Sequence, residues 1–220
     1  MNTRTLLRIL AVLALVPASG CAKYPPNQVA QSHRRLTVDV YLAEPVNPAY
    51  YYFVAIDTDG NPLTGPTPVL HRPWGGTGWA VGPLSYFVEY HLSIPNGYGC
   101  YSVDPNNILL QTYQGAPLLY DRDEANRLQF TIDLNTIDPL GTLQSINVNI
   151  ITTDVLPIDP NQDVTRQTDG LGPTGNDYVT IPLTQTQTYT NAESSIPEQA
   201  GDVLDPQLDI VDWQIEVALD

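Results

Sequence analysis

The sequence predicts an all-β protein, an antiparallel two-sheet β-sandwich with long loops, for three reasons. Short segments with apolar residues at every second position recur along the chain, a pattern typical of strands with one buried and one solvated face. Twenty prolines and fifteen glycines punctuate these segments. No stretch of twelve residues combines helical apolar spacing with helix caps. Closure of the strands into a barrel is the main alternative to a sandwich.

The strand candidates follow one another in a simple order. Regular alternation is clearest over residues 128–134 and is repeated over 146–150, and residues 36–42 and 211–219 also alternate. Residues 50–56 are apolar on both faces, which predicts a central strand. Further candidates cover residues 84–94, 108–113 and 179–183, which brings the expected total to eight to ten strands. At most one or two helical turns are expected, at residues 121–126.

Three segments predict long connections between the strands. Residues 60–83 and 156–177 lack a strand pattern, and residues 184–206 are polar and weakly patterned. Long loops without regular structure are uncommon in compact domains and often carry function. The ends of the first two loops are therefore where the sequence predicts a site.

The first twenty residues have the composition of a secretory signal peptide. Arg4 and Arg8 supply positive charge, residues 6–16 are almost all aliphatic, and small residues precede Cys21. The apolar run is too short to span a bilayer as a helix. Residues 21–33 then predict a polar, proline-containing tether, and residues 34–220 a single folded domain.

The four residues Ala18-Ser19-Gly20-Cys21 resemble a bacterial lipobox, in which cleavage occurs before a cysteine that carries diacylglycerol. The resemblance implies lipidation of Cys21 and a protein held on the extracytoplasmic side of the bacterial cell envelope. Several acyl chains on one residue make such membrane attachment stable. Ordinary secretion, with Cys21 incidental, is the alternative.

Charge and cysteine content restrict the function classes. Two of the nine basic residues lie in the leader, so the rest of the chain carries seven against 24 acidic residues, a net charge of −17. Nucleic acids and anionic lipid surfaces require a cationic partner, so neither is expected to bind. Acylation of Cys21 would leave Cys100 without a disulfide partner, and its burial as a small apolar residue is expected.

One motif after the central strand suggests a metal site. Asp57, Asp59 and Asn61 place oxygen atoms at alternate positions around Gly60, which is half of a calcium-binding loop. The bidentate Glu of a complete loop is absent. A tight turn, in which Gly60 adopts positive φ, is the alternative. Structural Ca²⁺ is therefore a candidate, and no other cofactor is expected.

A glycine-rich segment of the first long loop carries two tryptophans, Trp74 and Trp79. Exposed aromatic planes bind the apolar faces of sugar rings, and neighbouring glycines leave room for a ligand. The two indoles are therefore a candidate glycan platform. Structural packing of both rings over one end of a sheet is the alternative.

Three segments are similar to family 9 carbohydrate-binding modules and related DOMON-like sandwiches. Residues 51–66, which contain Asp-Thr-Asp-Gly-Asn-Pro-Leu-Thr-Gly, resemble the strand and loop of those modules, and residues 128–134 and 209–217 resemble later strands. The resemblance implies a β-sandwich with calcium near Asp57 and Asp59 and a sugar held by Trp74 and Trp79. It covers about a quarter of the chain, and the usual Trp-containing opening strand is not found here.

The sequence thus predicts a membrane-anchored, non-catalytic binding module with a glycan ligand. In that case Trp74 and Trp79 should be exposed. A structural envelope lipoprotein that binds a protein partner is the alternative, and it predicts buried indoles with an apolar patch or free strand edge elsewhere. A glycoside hydrolase would need two carboxylates facing each other across a cleft. No catalytic set is recognisable, so an enzyme is not expected.

Overall fold

A computed structural model describes residues 34–122 and 126–219. The predicted leader, the predicted tether and Cys21 lie outside the described residues. The described part is an all-β sandwich, as predicted. Its strands are, in chain order, β1 (Arg35–Leu42), β2 (Tyr51–Asp57), β3 (Thr67–Pro68), β4 (Ala80–Val81), β5 (Tyr86–Tyr90), β6 (Tyr98–Asp104), β7 (Asn107–Gly115), β8 (Leu119–Arg122), β9 (Arg127–Asp133), β10 (Ser145–Thr153), β11 (Thr168–Gly170), β12 (Val179–Pro182), β13 (Gln187–Thr190) and β14 (Ile210–Ala218).

Helical structure is limited to single turns in the described residues. They are the α-helical turn α1 (Leu134–Ile137) and the 3-10 turns Pro95–Gly97 and Asn191–Glu193. Asp133 caps α1 by accepting a hydrogen bond from the backbone N–H of Asn135 at 2.9 Å. No helix in the described ranges is long and apolar enough to cross a membrane.

The strands form two principal sheets, and all their described pairings are antiparallel. Sheet A has the order β13-β14-β1-β9-β8. Sheet B has the order β11-β10-β2-β5-β6-β7, and β12 also pairs with β10. The two short strands β3 and β4 pair with each other within the first long loop. One side of the sandwich is therefore bordered by β12 and β13, and the other by β7 and β8.

The main core lies between the two sheets. Alternate residues of a strand point to opposite faces, so Leu36, Val38 and Val40 of β1 all enter this core. Val54 and Ile56 of β2 meet them from sheet B. The alternation read from the sequence in β1, β9 and β14 thus corresponds to the inner face of sheet A.

A second core covers the outer face of sheet B, which explains why β2 is apolar on both sides. Phe53 and Ala55 point away from the main core and are almost fully buried. The indole of Trp79, from the first long loop, stacks on Phe53 with ring centroids 3.9 Å apart and planes 2° from parallel. The loop therefore acts as a third layer over sheet B.

Several sequence-based boundaries are wrong. The candidate strand 84–94 ends at Tyr90, and β6 follows a turn in which Asn96 has a φ of +63°. No helical turn forms at residues 121 and 122, which belong to β8. Strands β3, β4, β11 and β13 lie inside the predicted loops. These strands have two to four residues, too few for an alternation to be recognised.

Candidate functional site

The exposed glycan platform predicted at Trp74 and Trp79 is not formed. The two residues keep 7% and 3% of their surface exposed. Trp79 stacks on Phe53 and meets the edge of Phe87 at 5.2 Å between ring centroids. Its planar faces serve packing, because an apolar sheet face without a second sheet needs another cover.

Trp74 connects the two long loops. Its Nε1–H donates to the carbonyl oxygen of Gln162 at 2.9 Å, and its backbone N–H donates to that of Pro160 at 2.8 Å. The guanidinium of Arg166 lies 4.4 Å from its ring centroid, within the range of a cation–π contact. The loops predicted to carry the site therefore bind each other and cover sheet B.

The segment Asp57, Asp59 and Asn61 forms a chain of side-chain-capped turns. The carboxylates of Asp57 and Asp59 and the amide oxygen of Asn61 each accept a hydrogen bond from the backbone N–H two residues later, at 3.0, 2.7 and 3.1 Å. Gly60 has a φ of +75°. The Asn147 amide donates to the carbonyl oxygens of Asn61 and Thr64. This geometry is that of the tight turn, and calcium at this loop stays a prediction.

A different acidic cluster could hold a metal ion. Asp169, Asp202 and Asp209 each place a carboxylate oxygen within 4.8 Å of the others. Asp169 and Asp209 are buried, whereas Asp202 is exposed. A cavity of about 190 Å³, lined by Asp169, Asp202 and the loop around Thr174, adjoins them. Clustered carboxylate oxygens are the ligands that hard divalent cations prefer.

Backbone N–H groups stabilise the buried acids of this cluster. Asp169 accepts from Gly170 and Ile210, both at 2.8 Å, and Asp209 accepts from Gly201. Burial nevertheless raises the pKa of Asp169 to about 7. Burial, followed by the charge of Asp169, raises the pKa of neighbouring Glu198 to about 8. Burial therefore opposes ionisation of these acids, which keep part of their protons near neutral pH.

A groove of about 560 Å³ lies on the side of the sandwich bordered by β12 and β13. Its volume falls in the range of small-molecule sites. We call it the edge groove. Hydroxyl, amide and carboxylate groups line it together with apolar side chains. Its lining residues are Pro62, Asp177, Tyr178, Val179, Thr180, Ile181, Gln187, Tyr189, Thr190, Glu193, Ser194, Ser195, Ile196 and Trp213.

One buried donor in the wall of the edge groove lacks a partner. Trp213 is 2% exposed, and its indole Nε1–H has no hydrogen-bond acceptor among the described residues. An unpaired buried donor costs about 1–3 kcal/mol of desolvation. Such a donor calls for an acceptor from outside the protein, such as an ordered water, an ion or a ligand.

One uncharged segment on the opposite side of the sandwich carries many exposed apolar side chains. Residues 105–120, which include β7, contain no acidic or basic residue. They carry six of the twelve large apolar side chains that are strongly exposed in the described part of the chain. These six are Leu109, Leu110, Tyr113, Leu118, Leu119 and Tyr120.

Cys100 is buried in the main core, as expected. Burial raises the pKa of its thiol to about 11, which keeps the sulfur protonated and unreactive at neutral pH. Sequence reasoning missed the edge groove because Thr180, Tyr189 and Trp213 lie on three separate strands. The sequence signal was an aromatic residue at an inward position of β14, which also fits plain core packing.

No protein-family model matches this chain, and neither a curated protein nor a solved structure is significantly similar to it.

Proposed function

We propose that this chain is a lipid-anchored, extracytoplasmic binding module that holds a polyhydroxylated ligand, a glycan, in the edge groove. The unpaired Nε1–H of Trp213 in the groove wall is the observation that carries the proposal. A sugar hydroxyl, ring oxygen or carbonyl would supply the missing acceptor. Lipidation of Cys21 is inferred from the lipobox resemblance alone.

The groove lining suits a sugar. Tyr178 and Tyr189 offer aromatic faces for C–H groups, while Thr180, Gln187 and Thr190 offer donors and acceptors for hydroxyls. The Thr180 hydroxyl already donates to Asn147, which holds its rotamer. The site is assembled from β12, β13 and the turn at Asn191–Glu193, so the sheet scaffold positions most of its side chains before a ligand arrives.

Replacing Trp213, whose Nε1–H lacks an acceptor, tests this site. We expect Trp213→Phe to weaken binding of a glycan identified on an array by about tenfold, because the aromatic volume is largely kept while one buried hydrogen bond is lost. Isothermal titration of the detergent-solubilised chain measures the effect.

Trp74→Phe is the matched control, because Trp74 donates to Gln162 and does not line the groove. It should leave the affinity unchanged. Gln187→Ala changes an exposed residue of the groove lining, so it should weaken glycan binding without lowering the stability of the fold. A wild-type chain that binds no glycan would rule out glycans as the ligand class. Equal losses of glycan affinity in Trp213→Phe and Trp74→Phe would show that the edge groove is not the binding site.

The anchor has its own test. Replacing Cys21 with Ser should release the protein from the membrane fraction, because only the acylated cysteine is proposed to hold it. Incorporation of labelled fatty acid should disappear in the same variant. An unchanged membrane fraction would contradict the lipid anchor and leave the groove proposal standing.

A binding role is favoured over catalysis, although the edge groove contains two carboxylates, Asp177 and Glu193. Glycoside cleavage needs one carboxyl group that stays protonated and a second that is ionised. The observation that carries the proposal, the unpaired Nε1–H of Trp213, supports binding of an oxygen acceptor and assigns no proton transfer to either carboxylate. Release of reducing sugar from a bound glycan would establish the hydrolase instead.

A protein-binding envelope lipoprotein is the second candidate. Two observations favour it: the indoles of Trp74 and Trp79 are buried, and residues 105–120 present an uncharged apolar surface. Large exposed apolar surfaces often mark interaction sites. The two candidates use opposite sides of the sandwich, so a single chain could carry both.

We further propose that the ion suited to the cluster of Asp169, Asp202 and Asp209 is Ca²⁺. Three carboxylates within 4.8 Å of one another provide hard oxygen ligands without sulfur or imidazole. Bound cation would also offset the unfavourable negative charge of the buried acids. Its effect on stability is predicted in the Discussion.

A further inference from the structure

The edge groove has a charge pattern that restricts its ligand further. Of its fourteen lining residues, only Asp177 and Glu193 are ionisable at neutral pH, and both are acidic. They stand on separate elements, Asp177 just before β12 and Glu193 in the 3-10 turn after β13. The groove therefore presents negative charge from two separate chain segments and no positive charge among its lining residues.

Among residues 34–122 and 126–219, neither carboxylate forms an ion pair with a basic residue. The ion pairs of the described residues join Arg34, Arg72 and Arg127 to acids elsewhere, and no ion pair there involves Asp177 or Glu193. The net charge of −17 outside the leader adds a general negative potential. An anionic ligand would meet repulsion at the groove, whereas a cationic ligand would gain two partners.

We propose that the edge groove selects amine-bearing glycans, such as oligosaccharides with free amino sugars, over neutral ones and excludes acidic ones. This inference rests on the glycan ligand of the proposed function. A ligand oxygen accepts from the Trp213 Nε1–H in the inner wall, and an ammonium group pairs with Asp177 or Glu193. The indole thus requires an acceptor, and the carboxylates favour a cationic neighbour.

The hydrogen bond to Trp213 and the charge pairs with Asp177 and Glu193 can be told apart experimentally, because salt screens the charge pairs more strongly. Asp177 is half-buried and Glu193 exposed, so their attraction for an ammonium group weakens as salt rises. The hydrogen bond of the 2% exposed Trp213 is much less sensitive to ionic strength. Preference for the amine should therefore depend on salt, while basal sugar binding should not.

The test compares three matched probes on the detergent-solubilised full chain: glucosamine oligomers, the same oligomers N-acetylated, and galacturonic acid oligomers. At about 20 mM salt we expect the free-amine oligomer to bind about fivefold to tenfold tighter than the acetylated one, as two exposed charge pairs allow. The acidic oligomer should not bind. At about 0.5 M salt the first two affinities should converge.

Variants assign the preference to the groove. Asp177→Asn combined with Glu193→Gln should abolish the amine preference, so that the free-amine and acetylated oligomers bind with equal affinity at low salt. Glu44→Gln and Glu216→Gln, at exposed positions outside the groove, form the matched control pair and should keep the preference.

Each outcome bears on a separate claim. Equal affinity for the amine-bearing and acetylated oligomers at low salt would overturn the selectivity, as would a preference that survives the Asp177 and Glu193 substitutions. Binding of the acidic oligomer would overturn it too. A chain that binds none of the three sugars would overturn the glycan function itself. Trp213→Phe tests whether the acetylated oligomer binds in the edge groove.

Discussion

Replacing Trp79 with Ala should destabilise the domain by about 3–5 kcal/mol, the cost typical of removing a large buried aromatic side chain. The indole is 3% exposed, stacks on Phe53 at 3.9 Å and meets Phe87 edge-on at 5.2 Å. Its loss would open a cavity in the second core and uncover the outer face of sheet B. Urea unfolding followed by circular dichroism measures the change.

Leu63→Ala is the matched control, because Leu63 lies in the same loop but is 85% exposed. It should change the free energy of unfolding by no more than about 0.5 kcal/mol. A loss below about 1 kcal/mol for Trp79→Ala would show that the loop does not pack on sheet B. The same variant should retain glycan binding if the edge groove is the site, because Trp79 does not line it.

The second large effect is a loss of stability as pH rises. Burial raises the folded-state pKa of Asp169 to about 7 and that of Glu198 to about 8, well above their ordinary values. These groups keep their protons in the folded state over a pH range in which the unfolded chain has lost them. Their favourable contribution is complete below about pH 4 and is lost as pH rises to about 8.

Within that window the free energy of unfolding should fall by about 1.4 kcal/mol per pH unit for each carboxyl group that is protonated only in the folded state. Chemical denaturation at intervals between pH 5 and pH 9 measures the slope. Asp169→Asn should flatten the profile, while Glu216→Gln, at an exposed position of β14, should leave it unchanged. A profile that rises over this range would contradict the pKa directions.

Calcium should reduce this loss if the three aspartates bind it. At pH 8 a cation held by Asp169, Asp202 and Asp209 would offset their charge, so added Ca²⁺ should raise the thermal midpoint and a chelator should reverse the rise. Asp202→Ala should remove the response, because it deletes the exposed ligand. A midpoint indifferent to both additions would rule out a tight structural ion.

The sequence predicted the two-sheet fold well because strand alternation is a local property. The buried positions of β1, β9 and β14 follow directly from residues two apart. The central position of β2 followed from its apolar residues on both faces. The predicted ends of strands were wrong where no turn signal marked them, as at Asn96. They were also wrong where a strand was too short to show a period, as in β11.

By itself, the sequence determined an all-β fold with long loops and a strongly acidic composition, and it predicts a leader over residues 1–20. Only the tertiary structure decided that Trp79 packs against Phe53, that Asp169 meets Asp209 and that Trp213 borders a groove with Thr180 and Tyr189. The physical reason is that burial and ligand geometry depend on contacts between residues distant along the chain. Alternation indicates which face of a strand is apolar, but it does not indicate what packs on that face.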